Sequence, residues 1–384
     1  MYVTESITIG DKQLTIETGR LAKQAHGAVL ITYGESVVLV TATSTEERPF
    51  LDFFPLTCDY IEKTYAAGKI PGGFFKREAR QRDYEILSSR QMDRPLRPLF
   101  PEGYKKDTQI IATVMSTDKE NPTDVLALTG ASAALHISDI PWDGPVVGIR
   151  VARVDGRLVV YPTFEQIEKA DIDLVVAITK DAIVMVEGGA DEALEADVVD
   201  ALYHAHSEGQ KVIALIEKLR AAVGKPKREF KVAKLDESIA TRIQQMADAK
   251  LREACVVKEK KARYEAYGAI KTEITTTLKA ELGEEAFAAA EKLIKAEIED
   301  RKYHVVRKMV VGERKRIDGR TEPDIRAIMC QVGLLPRTHG SALFQRGETQ
   351  AIVTATLGTS GDEQKFDALT VESGKAFMLH YNFP

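Results

Sequence analysis

Residues 28–33 and 37–43 are apolar and β-branched, and Gly34-Glu35-Ser36 breaks them apart. That pattern predicts a β-hairpin with a buried strand. The same plan returns at 341–346 and 350–356 about Gly347-Glu348-Thr349. Further strand-like runs occupy 53–60 and 108–115. Residues 125–138 are Ala-rich with helical character, and Asn121-Pro122-Thr123 supplies a start signal. Residues 146–154 and 157–162 predict a hairpin about Asp155-Gly156, and 174–178 and 183–187 another about Lys180-Asp181. A long helical pattern over 192–223 ends at Gly224. The first 224 residues thus predict strands interleaved with helices, an α+β or α/β body. From Lys225 the chain turns rich in Ala, Glu and Lys, with Leu235, Ile239, Ile243 and Met246 at helical spacing. This predicts a small all-helical domain of roughly three helices.

The two hairpin segments are copies of one another. Residues 26–43 and 339–356 match without a gap at a displacement of 313, with nine of eighteen positions identical. Solenoid repeats recur every ~20–50 residues, so a displacement this long predicts duplication of a whole domain. The second copy opens near Arg314, and the expectation is that chemistry late in that copy lies past Pro384.

Composition narrows the class. A chain of 384 residues with 44% hydrophobic and 29% charged residues predicts two or three ordinary soluble domains. No apolar run reaches the ~18 residues of a membrane span, and residues 1–6 lack the features of a signal peptide. Cys58, Cys255 and Cys330 are far apart, which fits a reducing cytoplasm and gives no metal-site spacing. Net charge is −5, yet residues 76–106 hold nine cations against five carboxylates. A basic strip on an acidic body would hold a polyanion at one place and repel it elsewhere.

The candidate chemistry falls in that strip. Residues 62–78 contain Gly68, Pro71, Gly72 and Gly73 and predict a loop. Phe74 and Phe75, followed by Lys76, Arg77 and Arg80, would form a base-stacking platform beside phosphate-binding cations. The competing expectation is that the phenylalanines are tucked into the core. The loop lacks the glycine spacing of a Walker A motif. Arg90 and Arg94 share a helix face that Pro95 is expected to end, and Arg97 follows. The three arginines would contact phosphates, or else pair with Asp83, Glu85 and Asp93. His204 and His206 lack the spacing of a helical zinc pair. His26 and His339 hold the same repeat position beside glycine, which favours a structural role over catalysis.

Five strings carry a family resemblance: GKIPGGFFKRE at 68–78, DRPLRPLFPEG at 93–103, TGASAALHISDIP at 129–141, LPRTHGSALFQRGETQAIVTATLGT at 335–359, and FMLHYNFP at 377–384. The chain resembles the bacterial polynucleotide phosphorylases along essentially its whole length. The resemblance implies an α+β fold of two RNase PH-like modules joined by an all-helical domain. It places the first module at 1–224, the helical domain at 225–310 and the start of the second module at 311–384. It implies a cytoplasmic ring-shaped homotrimer that degrades single-stranded RNA, mRNA included, from the 3′ end. Inorganic phosphate is the co-substrate, nucleoside diphosphates are released, Mg²⁺ or Mn²⁺ is required, and RNA-degradosome components are possible partners.

The same resemblance puts the catalytic and metal residues past Pro384, with none in this chain, and leaves Phe74, Phe75, Lys76, Arg77, Arg80, Arg90, Arg94 and Arg97 as the RNA-binding set. In the first module, residues 121–124 (Asn-Pro-Thr-Asp) stand where the family's serine loop binds phosphate. Asp124 would repel that anion. The family's metal positions correspond to Ile167, Asp173 and Val175, which keep one carboxylate. The first module is therefore expected to be a degenerate copy that binds RNA and builds the ring. One departure is Ala79-Arg80-Gln81, where the family has Gly-Arg-Pro; Arg80 is kept. The alternatives are a non-catalytic RNA-binding subunit of an exosome-like ring and, against the duplication, a single-module tRNA-trimming enzyme.

Overall fold

The computed structural model describes residues 1–47, 53–72, 76–78, 80–230, 234–366, 369 and 373–383. Phe74 and Phe75, the expected stacking pair, lie outside the described residues. Four strands open the fold as an antiparallel meander: β1 (Val3–Ile9), β2 (Lys12–Thr18), β3 (Gly27–Tyr33) and β4 (Ser36–Glu47). Side chains of a strand alternate between faces. In β3 this buries Gly27, Val29, Ile31 and Tyr33 while the residues between them stay half-exposed. Next, β5 (Leu56–Glu62) is followed by helix α1 (Asp83–Leu96), and β6 (Lys106–Ser116) enters between β4 and β5. β6 runs parallel to β5, and a parallel pair needs a crossover of the kind α1 provides.

Helix α2 (Asp124–Ile137) has no polar face, and all 14 of its residues are buried. A helix that is apolar all round must be covered all round. α2 packs against β3, β4 and β6 on one side, and against the strand β7 (Val147–Val154) on the other. Small residues make that sandwich possible. A Cβ at Gly130 would stand 2.7 Å from Val40 Cγ2. The second sheet is completed by β8 (Arg157–Val160), β9 (Ile172–Ile178) and β10 (Ile183–Ala190), with the short helix α3 (Phe164–Lys169) between β8 and β9. Its order is β10-β9-β7-β8, and every pair is antiparallel. Helix α4 (Glu195–Val223) packs on β1, β7 and β9. It does so through a stripe at Ala201, Ala205, Gly209, Val212, Ile216 and Leu219, which are buried at spacings of three or four.

Helices α5 (Glu237–Cys255), α6 (Lys260–Leu282) and α7 (Glu284–Glu313) form a three-helix bundle around a second core that includes Ile243, Leu251, Ile274, Leu278, Ile294 and Ile298. Then β11 (Ile328–Val332), β12 (Gly340–Arg346) and β13 (Thr349–Ala355) form a three-stranded sheet, and β14 (Gln364–Phe366) pairs with β15 (Ser373–Lys375). Contacts divide the chain into two compact units, residues 1–232 with 362–384, and residues 233–361.

The duplication read from sequence holds at the level of register. β3 and β4 pair from Gly27↔Ala42 to Tyr33↔Ser36, and β12 and β13 from Gly340↔Ala355 to Arg346↔Thr349. Every partner is displaced by the same 313 positions. Gly34 and Gly347 turn the two hairpins at the same φ of 62°, a left-handed conformation that glycine adopts without strain. One expectation needs correction. Pro95 does not end α1 before itself; the helix includes it and stops at Leu96. Pro95 withholds one N–H from the Gln91 carbonyl, but the Arg97 N–H still reaches the Asp93 carbonyl, and the chain continues as a 3₁₀ turn at Arg97–Leu99.

Candidate functional site

The loop ahead of α1 is tied at its neck. Its first residues form one 3₁₀ turn, Thr64–Ala67, which closes on Gly68. Some regular structure therefore exists where only a loop was expected. The Glu78 carboxylate accepts bonds from the Thr64 N–H and Oγ1, both at 2.6 Å, and from Lys63 Nζ at 2.9 Å. Those bonds, the Thr64 hydroxyl first, hold the Glu78 carboxyl down at about 2. The two ends of the loop thus meet, and the exposed Lys76, Arg77 and Arg80 are presented beside that knot. None of these three cations has an ion pair among the described residues.

The three arginines of the α1 region part company. Arg90 is exposed on the helix and unpaired among the described residues. Arg94 is exposed on the same face, but its guanidinium reaches Glu187 of β10 at 2.5 Å. Arg97 is held by protein groups. It grips Asp93 through two bonds of 2.6 Å, donates to the carbonyls of Phe54 at 3.1 Å and Leu56 at 3.0 Å, and lies over the Phe54 ring. Five donors in a rigid fork suit such a knot. Arg97 therefore ties α1 to the start of β5, in line with the ion-pairing alternative for these arginines.

A cleft of the first unit collects charges that the sequence reading treated one at a time. Arg150, midway along β7, donates to Asp173 of β9 through Nε and Nη2, both at 2.9 Å, and to Asp124 at the start of α2 through Nη1 at 3.0 Å. Asp124 is 5% exposed at its side chain, and its other oxygen accepts the Val125 N–H. Burial works against the Arg150 charge, but Asp124 and Asp173 outweigh it and raise the arginine above its usual range. Beside this clamp the Tyr60 hydroxyl bonds Glu62 at 3.0 Å and Thr123 at 2.6 Å, and Arg82 bridges Glu62 and Glu85. Burial raises the Glu62 carboxyl, and Arg82 pulls it back. The Tyr84 ring is partly exposed, but its hydroxyl end sits deep near Asp124 and Glu62, and burial pushes its pKa well up.

That arrangement decides what the cleft can hold. Asp124 and Asp173, which the family resemblance sets against a phosphate loop and one metal carboxylate, are bridged here by a single guanidinium. Val175 is buried in β9, and Ile167 lies in α3. Among the described residues no group of three or more His, Cys, Asp and Glu side chains is placed for a metal ion. These residues do not fit Mg²⁺ as they stand, because the Asp124 and Asp173 oxygens already accept from Arg150 and the Val125 N–H, and the guanidinium occupies the place a cation would take. Arg150 was missed from sequence, although a lone arginine inside the apolar run 146–152 was a signal of a buried partner.

His26 and His339 show their common purpose. His26 Nδ1 accepts the Ser44 N–H at 3.2 Å, and His339 Nδ1 accepts the Leu357 N–H at 2.9 Å, each eighteen residues on. An accepting Nδ1 must be unprotonated. Burial lowers the His26 pKa, and Lys225 and Arg228 act in the same direction against Asp139. With the folded pKa below 6.5, the unfolded chain binds the extra proton, so stability rises with pH in that range. The His26 contribution is complete above about 6.5 and is lost as pH falls through the depressed value. His26→Asn, which keeps an acceptor but cannot titrate, should flatten the fall in melting temperature between pH 7.5 and 5. An unchanged fall would remove His26 from the pH response.

Comparison with known proteins assigns the parts. A family model described as "3' exoribonuclease family, domain 1" matches residues 10–141 and also 324–384. The model for domain 2 of that family matches 144–208, and one described as "Polyribonucleotide nucleotidyltransferase, RNA binding domain" matches 238–321. The whole chain is 68% identical over 384 residues to a polyribonucleotide nucleotidyltransferase of Sorangium cellulosum, covering 51% of that protein. Proteins of the same name from Anaeromyxobacter dehalogenans and Myxococcus xanthus are 52% and 51% identical, with 54% and 53% of their lengths covered. The chain spans about half the length of the curated relatives it matches.

Proposed function

Because the chain belongs to the polyribonucleotide nucleotidyltransferase family, within the 3′ exoribonucleases, we propose that its first module holds and guides single-stranded RNA for a phosphorolytic 3′→5′ exoribonuclease. The complete reaction is one displacement: a phosphate oxygen forms a bond to the terminal phosphorus, the bond to the neighbouring 3′ oxygen breaks, and a nucleoside diphosphate leaves. The first module stays outside that chemistry. The observation that carries this reading is the Arg150 clamp. Its guanidinium ties up both carboxylates of the cleft, so attacking phosphate meets the buried Asp124 and no metal-binding set. Mg²⁺ and phosphate would then be used elsewhere in the ring-shaped homotrimer that the family resemblance implies.

Incubating the chain with poly(A), Mg²⁺ and phosphate should release no ADP above background. Phosphate-dependent ADP release would overturn the assignment. A non-catalytic subunit of an exosome-like ring would give the same negative result, but the family match over the whole chain favours the enzyme.

Guidance falls to the free cations. Lys76, Arg77, Arg80 and Arg90 are exposed, on a chain whose net charge of −5 repels RNA elsewhere. Each single-strand phosphate contact contributes about −0.7 to the slope of log K against log salt. Arg77→Ala with Arg80→Ala should therefore shallow that slope by about 1.4. Arg97→Ala should leave the slope alone and lower the melting temperature, since Arg97 holds Asp93, Phe54 and Leu56. A slope that responds to Arg97 and ignores Arg77 and Arg80 would reverse these roles.

A further inference from the structure

We propose that Glu78 is a positioning residue for RNA: it pins the arm that carries Arg77 and Arg80, so that both guanidinium groups stand in place before a phosphate arrives. This rests on the reading above that the free cations of the first module hold RNA, and says what keeps two of them from moving.

The placing of Glu78 conflicts with charge taken alone. A carboxylate follows Arg77 directly and stands two residues before Arg80, inside a basic strip that suits a polyanion. Like charges repel, so an open carboxylate there would weaken the strip. Its oxygens are turned to the protein instead. Oε1 accepts from the Thr64 N–H and Oγ1, and Oε2 accepts from Lys63 Nζ at 2.9 Å. Three donors, one of them a cation, neutralise the carboxylate where it sits. Its ion pair is with Lys63, and Arg77 and Arg80 have none among the described residues.

The turn that Glu78 grips is itself fastened to the six-stranded sheet. Thr64 opens the 3₁₀ turn Thr64–Ala67, and the Lys69 N–H closes back on the Thr64 carbonyl at 3.1 Å. The Thr117 N–H, just past β6, donates to the Ala66 carbonyl at 3.0 Å, and the Tyr65 hydroxyl donates to Met115 Sδ at 3.2 Å. Ala66 is buried in the first core. Strand β6, the turn and Glu78 thus form one chain of contacts that ends beside Arg77.

A second anchor follows four residues on. Arg82 pairs with Glu62 at 2.9 Å and with Glu85 at 3.2 Å, and its N–H donates to Glu85 at 2.8 Å. Arg80 lies midway between the two fixed points, and Arg77 adjoins the first. Each residue spans at most ~3.6 Å, so a backbone two residues from an anchor on either side has little room to stray.

Lys76 shows that the arm is held. Its φ of 51° is left-handed, a conformation that is unfavourable for a residue with a side chain. Such a backbone persists where its surroundings impose it, and the Glu78 knot begins two residues on. An arm fixed in this way spares RNA the ordering that a loose one would require. That ordering weakens binding by roughly twofold to tenfold for each long side chain immobilised.

The test measures labelled oligo(A) binding to the full 384-residue chain. Glu78→Ala removes a negative charge beside the cations, so electrostatics alone predicts tighter binding. Positioning predicts the opposite sign, a loss of roughly twofold to tenfold. In a chain already carrying Arg77→Ala and Arg80→Ala, Glu78→Ala should not weaken binding further, because the groups it positions are gone. Thr64→Val removes one donor and no charge. It should weaken RNA in the same sense and speed trypsin cleavage after Arg77 and Arg80, and Thr64→Ser should return both to the parent's values. Fluorescence of Trp142, buried in the first unit, reports that each variant is folded. If Glu78→Ala binds as tightly as the parent or tighter, while Arg77→Ala with Arg80→Ala weakens binding, Glu78 positions nothing and the broader reading stands. Equal losses from Glu78→Ala with and without the two arginines would also overturn the proposal, since the carboxylate would then act on the fold at large. If Arg77→Ala with Arg80→Ala leaves binding unchanged, the broader reading falls and this one with it.

Discussion

Replacing Arg150 with alanine should cost the first unit about 3–5 kcal/mol, the range for breaking a buried ion pair from one side. The guanidinium is the shared partner of Asp124 and Asp173, and the Asp124 side chain is only 5% exposed. Without it two carboxylates face each other across the cleft, and neither has another cation partner among the described residues. Arg150→Lys should recover part of the loss, since an ammonium can neutralise but cannot make the paired bonds to Asp173. Adding Asp124→Asn and Asp173→Asn to the alanine variant should recover part as well, by removing the charges left behind. The readout is built in. Trp142 is the chain's one tryptophan, buried in the first unit, with Nε1 donating to the Leu96 carbonyl at 3.0 Å. Its fluorescence in a urea titration reports that unit alone. A loss below about 1 kcal/mol, the scale of an exposed pair, would mean that water screens the cleft and that Arg150 does not close it.

What could be read from the sequence was what is local. The hairpin at 26–43 announced itself through alternation and through its copy at 339–356, and even the register proved identical in the two. α2 was legible because an Ala-rich run followed a clear start signal, and the helical bundle because apolar residues kept a helical spacing. The family was legible from its motifs. The clamp was not, because Asp124, Arg150 and Asp173 come from a helix and two strands, and only the fold brings them within 3 Å. Half of the Arg97 contacts were hidden for a similar reason. Its i−4 partner Asp93 was visible, but the Phe54 and Leu56 carbonyls that it also holds lie some forty residues away. Pro95 was misjudged because a proline removes one ladder bond without ending the ladder: the Arg97 N–H beyond it still reaches the Asp93 carbonyl. The aromatic half of the expected RNA platform falls at Phe74 and Phe75, outside the described residues.

The second large effect should come from one methyl group. Gly27→Ala is expected to destabilise the first unit by about 1–3 kcal/mol or more, the cost of overpacking a filled core. A Cβ at Gly27 would lie 2.0 Å from the Ala134 carbonyl oxygen and 3.1 Å from Ser138 Cβ. The nearer obstacle is backbone of α2, so no rotamer change relieves it; the helix must shift. It cannot do so freely, because its opposite face is packed on β7, where Gly148 already brings the strand close to Leu128. The duplication supplies the control. Gly340 occupies the same position in the second copy, and there a Cβ would meet only Ala355 Cβ at an ordinary 3.4 Å. Gly340→Ala should therefore leave the thermal transition of its unit, followed by circular dichroism, close to the parent's. Equal losses at the two sites would point to a backbone requirement of the hairpin itself. A large loss at Gly27 alone assigns the cost to α2 lying directly on the strand, the contact that gives the first module its wholly buried central helix.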